Sequence, residues 1–330
     1  MRTKLLIIFI ILISAFNSEK NPIHIFYKEI AEKVNSLNTT WKATTYNRNF
    51  NRLLLTFRDD NNNNAVSLPE KKFEKKNYNL PESYDPREKY PKCESLNEVR
   101  DQANCGSCWA FGATEAMSDR ICIHSDQKLQ TRVSAQNLLT CCSSCGLGCH
   151  GGYPSSAWKY WQTTGISTGG LYGDIKTCQP YFLPPCDHYG EGSHGDCPPQ
   201  VETPECKIDC SDGNKKEYEN EMTYGESVYS IIGEENIMKE IYENGPVEGT
   251  YYIYEDFITY KSGIYQHVVG ELIGDHDIKI LGWGVENGVK YWICVNSWNE
   301  EWGDKGFFKI KRGNNECGIE NIAYAGMPKL

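Results

Sequence analysis

From Glu19 to Asn79 the chain has neither cysteine nor glycine, although its 330 residues hold 15 cysteines and 29 glycines. That stretch can join no disulfide, and its composition sets it apart from the rest of the chain. Beyond the N-terminus no run approaches the roughly 20 apolar residues of a membrane-spanning helix, which excludes an internal helical span. An even cysteine count is also missing, so at least one thiol stays unpaired unless it bridges to another molecule.

What the N-terminus does have is Arg2 and Lys4, the apolar run Leu5 to Ile13, and small residues at Ser14 and Ala15. Residues 1–17 therefore read as a secretory signal, too short to cross a bilayer. Export places the cysteines where disulfides persist, and predicts a soluble protein of the secretory pathway, in a lysosome-like compartment or outside the cell. With 39% hydrophobic residues the rest suffices for one large or two medium domains.

The cysteine-free stretch carries 11 Lys/Arg against 7 Asp/Glu. Setting that +4 and the leader's +2 against the overall −10 leaves −16 on Leu80 to Leu330. A cationic front piece before an anionic body predicts an intramolecular partnership, one that weakens as carboxylates protonate in acid. The spacing of Ile25, Ile30, Val34 and Leu37 predicts an amphipathic helix, whereas Asn61 to Asn64 and the lysine-rich Lys71 to Lys76 read as exposed linker. Asn38-Thr39-Thr40 is a glycosylation sequon, with Asn38 the acceptor. Residues 18–79 fit a removable prosegment or an ordinary helical subdomain, and the break in composition favours the first.

Trp109, Ala113, Ala116, Met117 and Ile121 recur at helical spacing, predicting a helix from Cys108 to His124 with one apolar face. Cys108 then sits in the first turn, where the helix dipole stabilises a thiolate, the attacking form of cysteine. Such a thiolate calls for a histidine partner. His276 begins an apolar-alternating stretch, so a strand starting at the histidine is expected. Asn287-Gly288 signals a two-residue hairpin that returns Val289 to Val295 and brings Asn296 back to His276, with Trp298 placed to cover the contact. Alternation puts Asp277 on the face opposite His276 and level with Lys279, where the two charges can pair.

These residues resemble the papain-like cysteine proteases, and within them the cathepsin B branch. The marks are Gln102 to Phe111 around Cys108, Asn38-Thr39-Thr40-Trp41, Ala116 to Cys122, Asn244 to Gly249, Tyr260 to Gly263, and Gly282 to Gly288, all in family order. The resemblance implies an α+β, two-domain papain-like fold: a helical left domain bearing Cys108, a β-barrel-like right domain bearing His276 and Asn296, and the cleft between them. It implies a signal at 1–17, an inhibitory propeptide at 18–79, and a mature protease at 80–330 with an occluding-loop insertion near 183–200. It implies thiolate attack by Cys108, an oxyanion held by Gln102 and the Cys108 N–H, and proton transfer by His276.

Further implications concern binding and cross-links. The implied disulfides are Cys93–Cys122, Cys105–Cys149, Cys141–Cys206, Cys142–Cys145, Cys178–Cys210 and Cys186–Cys197, leaving Cys108, Cys294 and Cys317. Gly151, Gly152, Trp298 and Ile322 line the implied substrate cleft, and His188 with Tyr189 occupies the loop positions that grip a substrate's C-terminal carboxylate. Tyr189 stands where the family has a second histidine, and Ile322 where it has a glutamate; His150 replaces an asparagine. These changes predict weakened dipeptidyl carboxypeptidase action and an apolar P2 preference, disfavouring Arg by about 1.5–3 kcal/mol. The implied partners are protein and peptide substrates, the chain's own propeptide and cystatin-type inhibitors, for a monomer without cofactor, metal or nucleic acid. Two other classes stay open: a Cys105-x-x-Cys108 dithiol oxidoreductase, and a catalytically silent relative that only binds. A zinc cluster competes for Cys141 to Cys149.

Overall fold

A computed structural model describes residues 22–45, 65–74, 79–188 and 192–330. The leader, Asn61 to Asn64, Lys75, Lys76 and Tyr189 lie outside these residues, as does the side chain of Ile25. No helix among those described is long and apolar enough to cross a membrane.

Helix α1 (Pro22–Ser36) buries Tyr27, Ile30, Ala31 and Val34, the recurring face of an amphipathic helix. The short strand β1 (Trp41–Ala43) comes next. It adds antiparallel to β5 (Tyr260–Tyr265), with Trp41 opposite Gly263. Glycine is required there: its φ is +90°, and a Cβ would stand 2.5 Å from Thr40 O. Trp41 is only 1% exposed, lies against Tyr260 and Tyr265, and donates from Nε1 to Gln266 O at 3.0 Å. The front piece thus contributes to the same apolar core as the body it precedes.

After the single turn α2 (Pro86–Lys89), the helical part assembles around α3 (Cys108–His124), with α4 (Ala135–Cys141) and α5 (Pro154–Thr163). The expected single apolar face of α3 is not what holds it: every residue from Cys108 to Ile123 is buried. Two of its charged positions find buried partners, Arg120 in Glu240 and Asp119 in Lys279, so the helix serves as a central strut.

The remaining elements are β2 (Ile166–Ser167), α6 (Lys215–Asn220), β3 (Met222–Ile231), α7 (Glu234–Asn244), β4 (Val247–Tyr254), α8 (Glu255–Ile258), β6 (Leu272–Glu286), β7 (Val289–Val295), β8 (Phe307–Lys311) and β9 (Ala323–Lys329). Among the described residues nine strands form one sheet in the order β1-β5-β8-β7-β6-β4-β9-β3-β2. Asn287 and Gly288 both take positive φ, 51° and 77°, as a two-residue hairpin turn requires. Strand β6 begins four residues before His276 rather than at it. Its ladder with β4 runs on through Tyr252 opposite Asp275 and Ile253 opposite Gly274, partners that alternation along one strand cannot reveal.

Disulfides join Cys93–Cys122, Cys105–Cys149, Cys141–Cys206, Cys142–Cys145, Cys178–Cys210 and Cys186–Cys197. Cys108, Cys294 and Cys317 belong to none.

Candidate active site

The loop into α3 is tied to the chain after β7. Asp101 bridges Trp298, Gln102 N donates to Ser297 O at 2.9 Å, and Ser297 Oγ donates to Gln102 Oε1 at 2.7 Å. Gln102 Nε2 donates to Cys105 O at 2.9 Å, which turns the amide toward the start of α3. Tyr181 completes the support, donating to Gln102 O at 2.8 Å beside Ser107 Oγ at 3.1 Å. Sequence reasoning does not single out Ser297 or Tyr181. Ser297 is adjacent to Asn296, but nothing in its context marks it, and Tyr181 reaches the loop from 79 residues away.

Cys108 is fully buried at the first position of α3. His276 is equally buried, and its Nε2 meets Asn296 Oδ1 at 2.8 Å. That bond makes Nε2 the donor and leaves Nδ1 the acceptor of the neutral ring; Nδ1 has no hydrogen-bond partner among the described residues. Burial pushes the His276 pKa down to about 4, the Asn296 bond works against this, and the charge of His188 adds to the fall. The Trp298 ring lies 4.9 Å from the His276 ring and covers the amide contact from water.

A second histidine belongs to the loop closed by Cys186–Cys197. His188 Nε2 meets Asp101 Oδ1 at 2.5 Å, and its ring lies 6.3 Å from that of Trp298. Asp101 also accepts from Ala103 N, Cys186 N and Asn299 Nδ2. Burial raises the Asp101 carboxyl, but His188 and these donors outweigh it and hold it below the usual carboxylate range. Asn299 gives the loop a further tie to Cys186 O at 2.7 Å, and Glu301 holds Ser193 through two bonds. Asn299 sits at φ 57°, a left-handed position that asparagine tolerates.

The cleft candidates divide. A Cβ on Gly152 would stand 2.5 Å from the Trp109 ring, so close packing against α3 already demands glycine there. Gly151 has φ 110°. Ile322 is half-buried just before β9; since Ala323 faces Gly249, the register brings Ile322 level with Thr250. His150 is exposed, 3.9 Å from Glu202.

The expected pairing of Asp277 with Lys279 does not form. Lys279 Nζ runs beneath α3 to Asp119 Oδ2 at 2.9 Å, while Asp277 Oδ1 accepts from Thr250 Oγ1 at 2.5 Å. Thr250 is directly opposite Asp277 across the β4–β6 ladder, whereas Lys279 is two residues along it and long enough to reach the helix. Asp277 does lie on the face away from His276, beside Glu248. Burial, then the charge of Asp277, raises Glu248 well above the usual range.

Cys105 is joined to Cys149, so it cannot form a reversible pair with Cys108, and this removes the structural basis for a dithiol oxidoreductase. Of the cysteines from Cys141 to Cys149, all four sulfurs are in disulfides. Cys186, His188 and Cys197 cluster closely, but both sulfurs there share one disulfide.

The family model for papain family cysteine proteases matches residues 80–327. A cathepsin B-like cysteine proteinase 6 of Caenorhabditis elegans is 49% identical over 255 residues, 76% of this chain and 67% of that protein. A cathepsin B-like cysteine proteinase of Schistosoma japonicum is 47% identical over 255 residues, 77% of this chain and 75% of that one. Among solved structures, procathepsin B S9 from Trypanosoma congolense superposes with a TM-score of 0.78 at 36% identity, covering 92% of this chain and 98% of that chain.

Proposed function

This chain belongs to the papain family of cysteine proteases, as a cathepsin B-like cysteine-type peptidase, and we propose that Cys108, His276, Asn296 and Gln102 carry its hydrolysis of peptide bonds. The observation that supports these roles most is the Asn296–His276 bond under Trp298, which presents the acceptor Nδ1 of a neutral ring.

In the proposed reaction the Cys108 thiol gives its proton to His276 Nδ1 and the sulfur attacks the peptide carbonyl. The oxyanion is held by the Cys108 N–H and by Gln102 Nε2, whose amide has two hydrogens, one already donated to Cys105 O. His276 returns the proton to the leaving amine as the C–N bond breaks, leaving a thioester. It then takes a proton from water, whose oxygen displaces the sulfur; the acid departs and the thiol is restored.

The full-length chain is read as a zymogen of a lysosomal or secreted enzyme, with residues 18–79 acting as an intramolecular inhibitor removed near Leu80. Full burial of His276 fits a latent form, because burial holds its pKa down to about 4 and hydration on activation would raise it. Ile322 supports an apolar P2 preference. Tyr189, standing where the family has a second histidine, supports weak release of C-terminal dipeptides, while His188 is held by Asp101. Substrates varied at P2, and one offering both an internal bond and a free C-terminus, check these; preferred Arg, or dipeptide release as fast as internal cleavage, contradicts them.

The deciding experiment treats the acid-activated protein and its Cys108→Ala variant with a thiol-reactive peptide epoxide. Labelling and turnover should vanish in the variant. Their persistence would overturn the assignment and leave a protein that binds without this chemistry.

A further inference from the structure

Lys71 is not exposed linker. Its Nζ stands 2.6 Å from Glu240 Oε2, 4.6 Å from the centre of the Tyr229 ring and 5.3 Å from that of Phe73. Its backbone is fixed as well. Ser230 N donates to Pro69 O at 3.0 Å and Lys71 N to Ser230 O at 2.9 Å, so residues 69–71 add a short parallel strand to β3.

Glu240, on α7, is a buried acceptor with an unusual set of donors. Its side chain is 0% exposed; Oε1 accepts from Arg120 and Tyr229, and Oε2 from Lys71 and Asn244. Arg120 is shared with three carbonyls, those of Gly245, Pro246 and Gly326. Lys71 therefore supplies Oε2 with its one charged donor, while Asn244 gives a neutral bond at 3.1 Å. Burial opposes ionisation of Glu240, but Arg120 and Lys71 outweigh it and hold the carboxyl below its usual range. The neighbouring Lys72 makes a useful contrast: it is 77% exposed and pairs with Glu70 at 2.5 Å.

None of these contacts involves the catalytic residues. The described segment passes Ser156, whose Oγ accepts from Val66 N, before reaching β3 and α7. We propose that Glu240, the Tyr229 ring and the Ser230 backbone form a lysine-binding site outside the cleft, filled in cis by Lys71 and opened to the lysine of another extended peptide once this segment is cut away. The second half rests on the reading that residues 18–79 are removed; the first does not. A lysine ammonium on extended backbone is the ligand class, because the site offers a buried carboxylate, an aromatic face and a strand edge together.

The test begins on the full-length Cys108→Ala chain, which needs no processing. Lys71→Ala should speed amide exchange at residues 70–73 and at Ser230 by about 10-fold or more, and n-butylammonium should restore protection where n-butanol does not. Lys72→Ala should change nothing. Wild-type exchange in Lys71→Ala, equal effects of the two lysines, or equal rescue by butanol would overturn the site. On the activated enzyme, a synthetic peptide of residues 65–74 should bind without slowing turnover of a small substrate, and about 10-fold more tightly than its Lys71→Met form. Equal binding of the two peptides, or competition with the small substrate, would overturn the vacated site, while the exchange data stand apart from any failure of processing.

Discussion

Trp298 has two histidine neighbours that are held in opposite ways. His276, 4.9 Å away, leans on the neutral amide of Asn296, and burial keeps its pKa near 4. His188, 6.3 Å away, leans on the carboxylate of Asp101, which four donors keep ionised. An amide orients a ring without dictating its charge, so the ring remains able to gain and lose a proton. A carboxylate that is itself tied to Cys186 N and Asn299 holds its ring in place as a strut. The difference separates a group suited to proton transfer from one suited to pinning the 183–200 loop.

Removing each ring is the severest test of that separation. His276→Ala should lower kcat/KM for an internal peptide bond by about 10³–10⁴-fold, while His188→Ala should change it only a few-fold. Steady-state kinetics decides, and comparable losses would place His188 in the chemistry. Gln102→Ala comes next, with kcat lower by about 10²-fold if its amide holds the oxyanion; a loss confined to KM would reduce it to a packing role. Asp101→Asn removes the strut's charge partner and should speed amide exchange across 186–197 by about 10-fold, with kcat on small substrates little changed.

A last effect, on stability rather than on activity, concerns a carboxyl with no such partner. Glu115 lies inside α3, its Oε1 has no hydrogen-bond partner among the described residues, and burial raises its pKa from 4.5 to about 8 despite Lys279 and Arg100. The folded state therefore binds this proton more tightly than the unfolded state. Its stabilising contribution is complete below about 4.5 and is lost as pH rises to about 8. Denaturant unfolding should show stability falling across that window, and Glu115→Gln should flatten the fall; an unchanged slope would show that Glu115 is not its source.

Local signals were legible in the sequence. The helix bounds from Cys108 to His124, the Asn287-Gly288 turn and the return of Asn296 to His276 follow from spacing and turn chemistry. What escaped depends on partners distant in the chain. The early start of β6 rests on β4, the Asp277–Thr250 bond on strand register, and the place of Lys71 on Glu240, 169 residues away. A lysine-rich stretch reads as solvated linker because composition says nothing about a buried carboxylate waiting elsewhere. Support around Gln102 was hidden for the same reason: Ser297 is 195 residues from it and Tyr181 is 79.

The central claim is that His276 activates the thiol of Cys108, and the pH dependence of alkylation at Cys108 in the activated enzyme measures this most directly. With His276 in place, the thiolate should persist to about pH 5 or below, and in His276→Ala reactivity should retreat to the ordinary cysteine range near 8.5. Identical profiles for the two proteins would contradict the account.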